Sequence, residues 1–134
     1  MTLVDTNVIV DILTDDLTWS DWSTDTLKWC AARGPVLINE VIYAEMSVRA
    51  AGEAELDNAL DSLTLEFRHT PKQALFVAGR AFGQYRRAGG ARPGILPDFF
   101  IGAHAHVLGC PILTRDVRRY RTYFPYVELI TPRV

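Results

Sequence analysis

Residues 3–13 read "LVDTNVIVDIL", and how Asp5 is read decides the fold of the whole chain. Apart from Asp5, Thr6, Asn7 and Asp11, every residue in the stretch is Leu, Val or Ile. Ionised carboxylates are rarely buried without a partner, so an acid among core residues needs a local reason. The β-type pair Leu3-Val4 predicts a strand, and "NVIVDILT" (7–14) predicts a helix behind it. Asp5 then falls at the carboxyl end of the strand, where α/β sheets build their sites.

The same alternation continues along the chain. "TWSDWSTDTLKWCAA" (18–32) predicts a helix that stops at Gly34-Pro35. "VLI" (36–38) predicts a strand, and Asn39 is placed to cap a helix over 40–51. A helix over 53–63, a strand at "LEF" (65–67) and a long helix from Pro71 to about Arg87 follow. "GGARPG" (89–94) predicts a loop, residues 98–108 a helix, and "PIL" (111–113) and "VELI" (127–130) two further strands. Strands alternating with helices imply an α/β fold, a parallel sheet of about five strands with helices on both faces. No repeat, low-complexity segment or linker divides the chain, so residues 1–134 are expected to form one domain.

Composition narrows the classes. With 49% apolar and 22% charged residues among 134, the chain has enough apolar material for one real core. Its apolar runs fall well short of the roughly 20 residues a membrane helix needs, so no membrane role is expected. Cys30 and Cys110 lack disulfide or metal-ligand spacing, and no signal-peptide pattern precedes the first strand; a reducing cytoplasm is the expected location. The net charge of −2 conceals a division: residues 1–66 hold 13 acids and 3 bases, residues 67–134 hold 3 acids and 11 bases. Ten of those 11 bases are arginine, seven of them in "YRRAGGARP" (85–93) and "RDVRRYR" (115–121). Arginine's planar fork suits phosphate, so this half is either a phosphodiester-facing surface or a set of solvated helix and loop residues.

Four acids share one kind of address. Asp5 follows the first strand, Asp116 follows "PILT", Asp98 begins a helix after "GILP", and Glu45 lies in the second turn of the helix leaving "VLI". Such a rim repels itself unless a cation offsets it, and hard oxygen donors without His or Cys pairs favour Mg²⁺ or Mn²⁺. Mg²⁺ commonly completes its shell with substrate phosphate oxygens, which points to phosphodiester chemistry. Each acid also has a structural reading: Asp5 and Asp98 as helix caps, Asp116 as a turn residue, Glu45 as an exposed helix glutamate.

These motifs, taken in order, resemble the PIN-domain nucleases, and among them the VapC-type toxins of bacterial toxin–antitoxin modules. "LVDTNVIVDIL" resembles the opening motif, with Asp5 as the first metal carboxylate and Asn7 its companion. "INEVIYAEM" (38–46) places the family glutamate on Glu45, not Glu40. "LPDFFIGAHAHVLG" (96–109) puts Asp98 in the metal site, and "PILTRDVRRYRTYFP" (111–125) supplies Thr114 and Asp116. The resemblance implies a PIN-like domain acting as an endoribonuclease that uses Mg²⁺ or Mn²⁺ and water, leaving 5′-phosphate and 3′-hydroxyl ends. Asp5 and Asp98 would be the main metal ligands, Asp116 and Glu45 would complete the site, and Asn7 and Thr114 would support the ligands through hydrogen bonds. It also implies a cognate antitoxin and a homodimer. Arg86, Arg87, Arg92, Arg115 and Arg118 are the candidates for contacts to the RNA backbone.

Other features lead elsewhere. Trp19, Trp22 and Trp29 fall near one helical face, read as core packing or as an interface for antitoxin or a second subunit. His104 and His106 point about 200° apart on a helix and cannot share an ion. "LVDTN" loosely resembles the "hhDxD" of aspartyl-nucleophile phosphatases, but position 7 is Asn and no lysine follows Lys72. An inactive RNA-binding PIN-like protein is the non-enzymatic alternative.

Overall fold

The computed structural model describes residues 1–132. Strand β1 (Thr2–Val4) leads into α1 (Thr6–Leu13) and α2 (Ser20–Ala31). Then come β2 (Val36–Ile38), α3 (Glu40–Ser47), α4 (Glu53–Ser62) and β3 (Leu65–Phe67). The remainder is α5 (Lys72–Arg87), α6 (Pro97–Leu108), β4 (Ile112–Leu113), α7 (Arg118–Tyr123) and β5 (Leu129–Ile130). The five strands form one sheet in the order β3-β2-β1-β4-β5, every pair parallel. The α/β expectation holds, including the number of strands.

The three central strands, β1, β2 and β4, are too apolar to face water, whereas the edge strands β3 and β5 are only partly covered. Leu3, Val4, Leu37, Ile38, Ile112 and Leu113 are all at most 2% exposed, as strands covered on both faces must be. Chain direction reverses between β1 and β4: from β1 the chain goes out to β2 and β3, then returns to add β4 and β5 on the other side. That switch point is where the carboxyl ends of two neighbouring strands leave a crevice. The Asp5 amide donates to the Leu113 carbonyl at 2.9 Å, which ties the ends of β1 and β4 together there.

Helix α6 runs close to this crevice because its inner face is small. Gly102 packs against the Phe124 ring so tightly that a Cβ would lie 2.3 Å from it, with Ala103 and Ala105 fully buried alongside. Asn39 caps α3 as expected, its Oδ1 accepting from the Val41 and Ile42 amides at 3.1 Å. Most bounds shift by a residue or two, and three differences have a clear physical cause. Helix α3 ends at Ser47 instead of 51, because its buried face ends at Met46 and Val48 turns out into solvent. Helix α6 starts one residue early, with Pro97 in the first turn, where its missing N–H costs nothing. Helix α7 was not anticipated: "RRYRTY" offers one buried residue, Tyr120, and no apolar stripe to announce a helix.

The tryptophans divide. Trp22 packs against the core and meets Trp19 edge-on at 6.3 Å, whereas Trp29 is half exposed beneath the Arg33 guanidinium. The buried face of α2 is Ser23, Leu27 and Cys30, so the three indoles do not form one core stripe. His104 is buried and His106 exposed, on opposite sides of α6. No helix among the described residues is long and apolar enough to cross a membrane.

Candidate active site

A cleft of about 650 Å³ opens at the switch point, and Asp5, Glu45, Asp98 and Asp116 all line it. They arrive from four separate elements: the β1–α1 junction, α3, the first turn of α6, and the β4–α7 loop. Asp5 is 5% exposed and the most constrained of the four. Its Oδ1 accepts the Thr6 amide at 2.8 Å, so the helix-cap role is real. Its Oδ2 accepts from the Thr114 and Tyr120 hydroxyls, both at 2.8 Å, and from Asn7 Nδ2 at 3.3 Å. Even so, burial pushes the carboxyl up from its ordinary 3.8 to about 6, with the Asp98 charge adding to the rise. Its donors offset part of the desolvation cost and not all of it.

Asn7 and Thr114 both hydrogen-bond to Asp5 and to each other. Asn7 Nδ2 donates to Thr114 Oγ1 at 3.2 Å, and Asn7 Oδ1 accepts the Arg115 amide at 3.1 Å. The Asp116 amide in turn donates to Thr114 Oγ1 at 3.1 Å. These bonds tie the β4–α7 loop to the start of α1, and so fix Asp116 relative to Asp5.

Three residues of the site carried no signal in the sequence. Tyr120 buries its ring and donates to Asp5; burial and the Asp5 charge hold its phenol far above its ordinary range, so it remains a donor. Arg119 Nη1 donates to Asp98 Oδ2 at 3.1 Å, while burial raises the Asp98 carboxyl against that pull. Thr6 donates to Glu45 Oε1 at 2.7 Å. Glu40, by contrast, turns away from the cleft to accept from the Thr70 amide and hydroxyl and to meet His69 Nδ1 at 3.1 Å. Of the two glutamates, Glu45 lines the cleft and Glu40 does not.

The cleft's donor set is oxygen only, with no His, Cys or Lys among its lining residues, and such a set suits a hard divalent cation. Among the described residues, no three acidic, His or Cys groups form a ready-made cage for an ion; the four carboxylates line the cleft from separate elements. The rim is instead offset by protein donors, Arg119 on Asp98, Thr6 on Glu45 and the hydroxyls on Asp5.

The candidate RNA-contacting arginines separate into two groups. Arg115 is spent on a nearly buried partner: Nε and Nη2 donate to Asp11 at 2.6 and 2.8 Å, and Ser23 completes that carboxylate's shell at 2.8 Å. It lines the cleft as a wall post more than a free cation. Arg86 donates to the Arg92 carbonyl at 3.0 Å, and Arg87 and Arg92 are exposed around the 88–96 loop. Arg118 is open to solvent, 3.9 Å from Asp116 Oδ1.

A parallel α/β domain with a carboxylate-lined cleft at its switch point is the class that fold and site define. Within that class, the PIN domain model matches residues 2–125, and the chain belongs to the PIN domain family. Solved structures agree on the fold. "VapBC2 from Rickettsia felis bound to a DNA fragment from their promoter" contains a chain 18% identical, with a TM-score of 0.74 over 97% of both chains. A "toxin-antitoxin complex from Klebsiella pneumoniae" contains one 19% identical, with a TM-score of 0.71 over 99% of this chain and 98% of that one. "FitAB bound to IR36 DNA fragment" is similar at 18% identity and a TM-score of 0.66, over 98% and 95%. No curated protein matched the chain by sequence.

Proposed function

We propose that this chain is a VapC-type toxin, an endoribonuclease that hydrolyses RNA phosphodiester bonds with Mg²⁺ or Mn²⁺ and is restrained by a cognate antitoxin. The observation that carries this is the meeting of four acids from four elements in one cleft at the β1–β4 switch point. Membership of the PIN family and the likeness to toxin–antitoxin complexes support the same reading. The homodimer and the cytoplasmic location belong to this proposal as well.

Asp5 and Asp98 would hold the cation, with Asp116 and Glu45 completing the set. When bound, the cation would supply the positive charge that acidifies an attacking water and offsets charge growing on the phosphate. The chain's own contribution is placement. Asp5 is fixed by four donors from Thr6, Asn7, Thr114 and Tyr120, so its carboxylate presents one orientation. Glu45 and Asp116, at the cleft wall, are positioned to accept a proton from water or to orient it. The exposed cations Arg87, Arg92 and Arg118 draw the polyanion to a rim that would otherwise repel it.

The test is cleavage of single-stranded RNA with Mg²⁺ or Mn²⁺ and with chelator, for wild type and Asp5→Ala, with the product ends sequenced. Metal-dependent cleavage leaving 5′-phosphate ends, abolished by Asp5→Ala, is expected. Cleavage that persists in chelator, or that Asp5→Ala leaves at wild-type rate, refutes the reading.

A further inference from the structure

Beside the cleft lies a second hollow, of about 260 Å³, lined by Tyr85, Asp116, Arg118, Arg119, Thr122 and Tyr123. Asp116 lines both, so the two hollows adjoin at that residue. We propose that this hollow binds the RNA nucleotide next to the bond that is cut, its base stacked on Tyr85 or Tyr123 and its phosphate on Arg118. The proposal rests on the nuclease reading above and adds to it a base-recognising subsite.

Three observations carry it. First, the two tyrosines are the outer end of an aromatic ladder rooted in the core. Phe99 is fully buried and lies 5.6 Å from the Tyr85 ring and 5.3 Å from Tyr123; Phe82 stacks on Tyr85 at 5.7 Å, and the two tyrosines meet edge-on at 6.3 Å. Rings held this way are fixed in place where they line the hollow, and nucleic-acid bases stack on aromatic side chains. Second, cations surround these rings. The Arg119 guanidinium lies 5.9 Å from the Tyr85 ring, Arg86 lies 6.0 Å from Phe82, and the solvent-exposed Arg118 lines the hollow 3.9 Å from Asp116. Third, Tyr85 is tied to the arginine-bearing loop, its hydroxyl accepting the Arg92 amide at 3.3 Å. Aromatic faces beside phosphate-binding forks are the pairing that single-stranded nucleic acid requires. Arg119 joins the two sites, with its fork on Asp98 in the cleft and its plane near Tyr85 in the hollow.

The experiment measures binding by anisotropy on an Asp5→Asn background that cannot cut, using fluorescein-labelled hexaadenosine and an abasic ribose-phosphate hexamer. Hexaadenosine is expected to bind roughly tenfold or more tightly than the abasic chain, the usual gain from stacking. Tyr85→Leu and Tyr123→Leu should remove that advantage while leaving abasic binding unchanged, and Tyr123→Phe should keep it. Arg118→Gln should weaken both oligomers alike and flatten the salt dependence by about one phosphate contact. Circular-dichroism melting identifies any tyrosine variant that fails to fold, and Tyr123→Phe then serves against Thr122→Trp, which fills the hollow and should abolish the base advantage. A base advantage that survives both leucine variants, or none in the parent, overturns the subsite. So does a hexaglutamate peptide binding as well as hexaadenosine, which would make the hollow a site for an acidic protein. If the wild type cuts RNA with Mn²⁺ yet shows no base advantage, only the subsite falls; if it neither cuts nor binds, the nuclease reading falls with it.

Discussion

Replacing Asp5 by Asn should make the protein more stable at neutral pH in chelator, although it rearranges the hydrogen bonds around a helix cap. The Asp5 carboxyl sits at about 6 in the fold against an ordinary 3.8, and burial is the main cause. A carboxyl raised in this way contributes stability that is complete below about pH 4 and is lost as pH climbs through about 6. At roughly 1.4 kcal/mol per pH unit, the loss by pH 7.5 is about 3 kcal/mol. Asn carries no charge and escapes it. Against this, Asn offers one acceptor where Asp5 has two, and a rearranged cap and donor set costs about 1 kcal/mol. The net gain at pH 7.5 in chelator is therefore about 2 kcal/mol, turning to a loss of about 1 kcal/mol near pH 4. Urea unfolding of both proteins at the two pH values measures this directly, because groups common to both cancel in the difference. Mg²⁺ should close the gap at pH 7.5 by stabilising the wild type alone. A wild type as stable as the variant at pH 7.5 in chelator, or a difference that does not change with pH, refutes the claim that Asp5 is an undercompensated buried charge.

The other predictions follow from named contacts. Arg119→Gln removes the internal cation from Asp98, so Mn²⁺ should bind severalfold more tightly by calorimetry, while RNA binds more weakly. Glu45→Gln should lower cleavage by about 100-fold or more. Glu40→Gln, which disturbs only the Thr70 and His69 contacts, should leave the rate intact and cost about 1 kcal/mol in denaturant unfolding. Arg115→Met leaves the Asp11 carboxylate buried with Ser23 alone, a loss of about 3–5 kcal/mol; Asp11→Asn combined with it should recover much of that in a double-mutant cycle. Gly102→Ala drives a Cβ to 2.3 Å from the Phe124 ring and should cost about 1–3 kcal/mol, read as a lower melting temperature.

What the sequence disclosed and what it concealed have physical causes. Parallel strands covered on both faces must be short and apolar, so "LVDTN", "VLI" and "PIL" announced the sheet and located its carboxyl ends. Asp5, Asp98 and Asp116 were legible as candidates because they stand just past strands or in a first turn, and Glu45 because it lies one turn further into a helix that leaves a strand. In such places spacing along the chain fixes position in space. Tyr120 was not legible. Its role depends on α7 folding back across β1, a contact 115 residues away in sequence. The Asp11–Arg115 pair spans 104 residues and removes from the RNA-binding set an arginine that composition alone made free. Charge counts say how many cations exist and not which are already paired. The tryptophans failed for a related reason: spacing gave a common face, but burial on α2 follows Ser23, Leu27 and Cys30, and Trp29 was left outside.

The division of charge along the chain gains a meaning at the crevice. Asp5 and Glu45 come from the half that holds 13 acids, where an acid at any given place is unremarked. Asp98 and Asp116 come from the half that holds 3, and two of those three line the same cleft. Surplus acid cannot account for that placement, since solvent-facing positions were available throughout an arginine-rich segment. The arginines nearest these acids serve two conditions. In the metal-free protein Arg119 holds Asp98, and Arg118 stands 3.9 Å from Asp116, so the rim is not left to repel itself. Each of these forks also faces the hollow where a phosphate would lie, and a guanidinium released by a competing cation is the better phosphate donor for having lost its carboxylate. In the proposed nuclease the same few arginines would thus keep the acids in place before loading and receive the substrate phosphate after it.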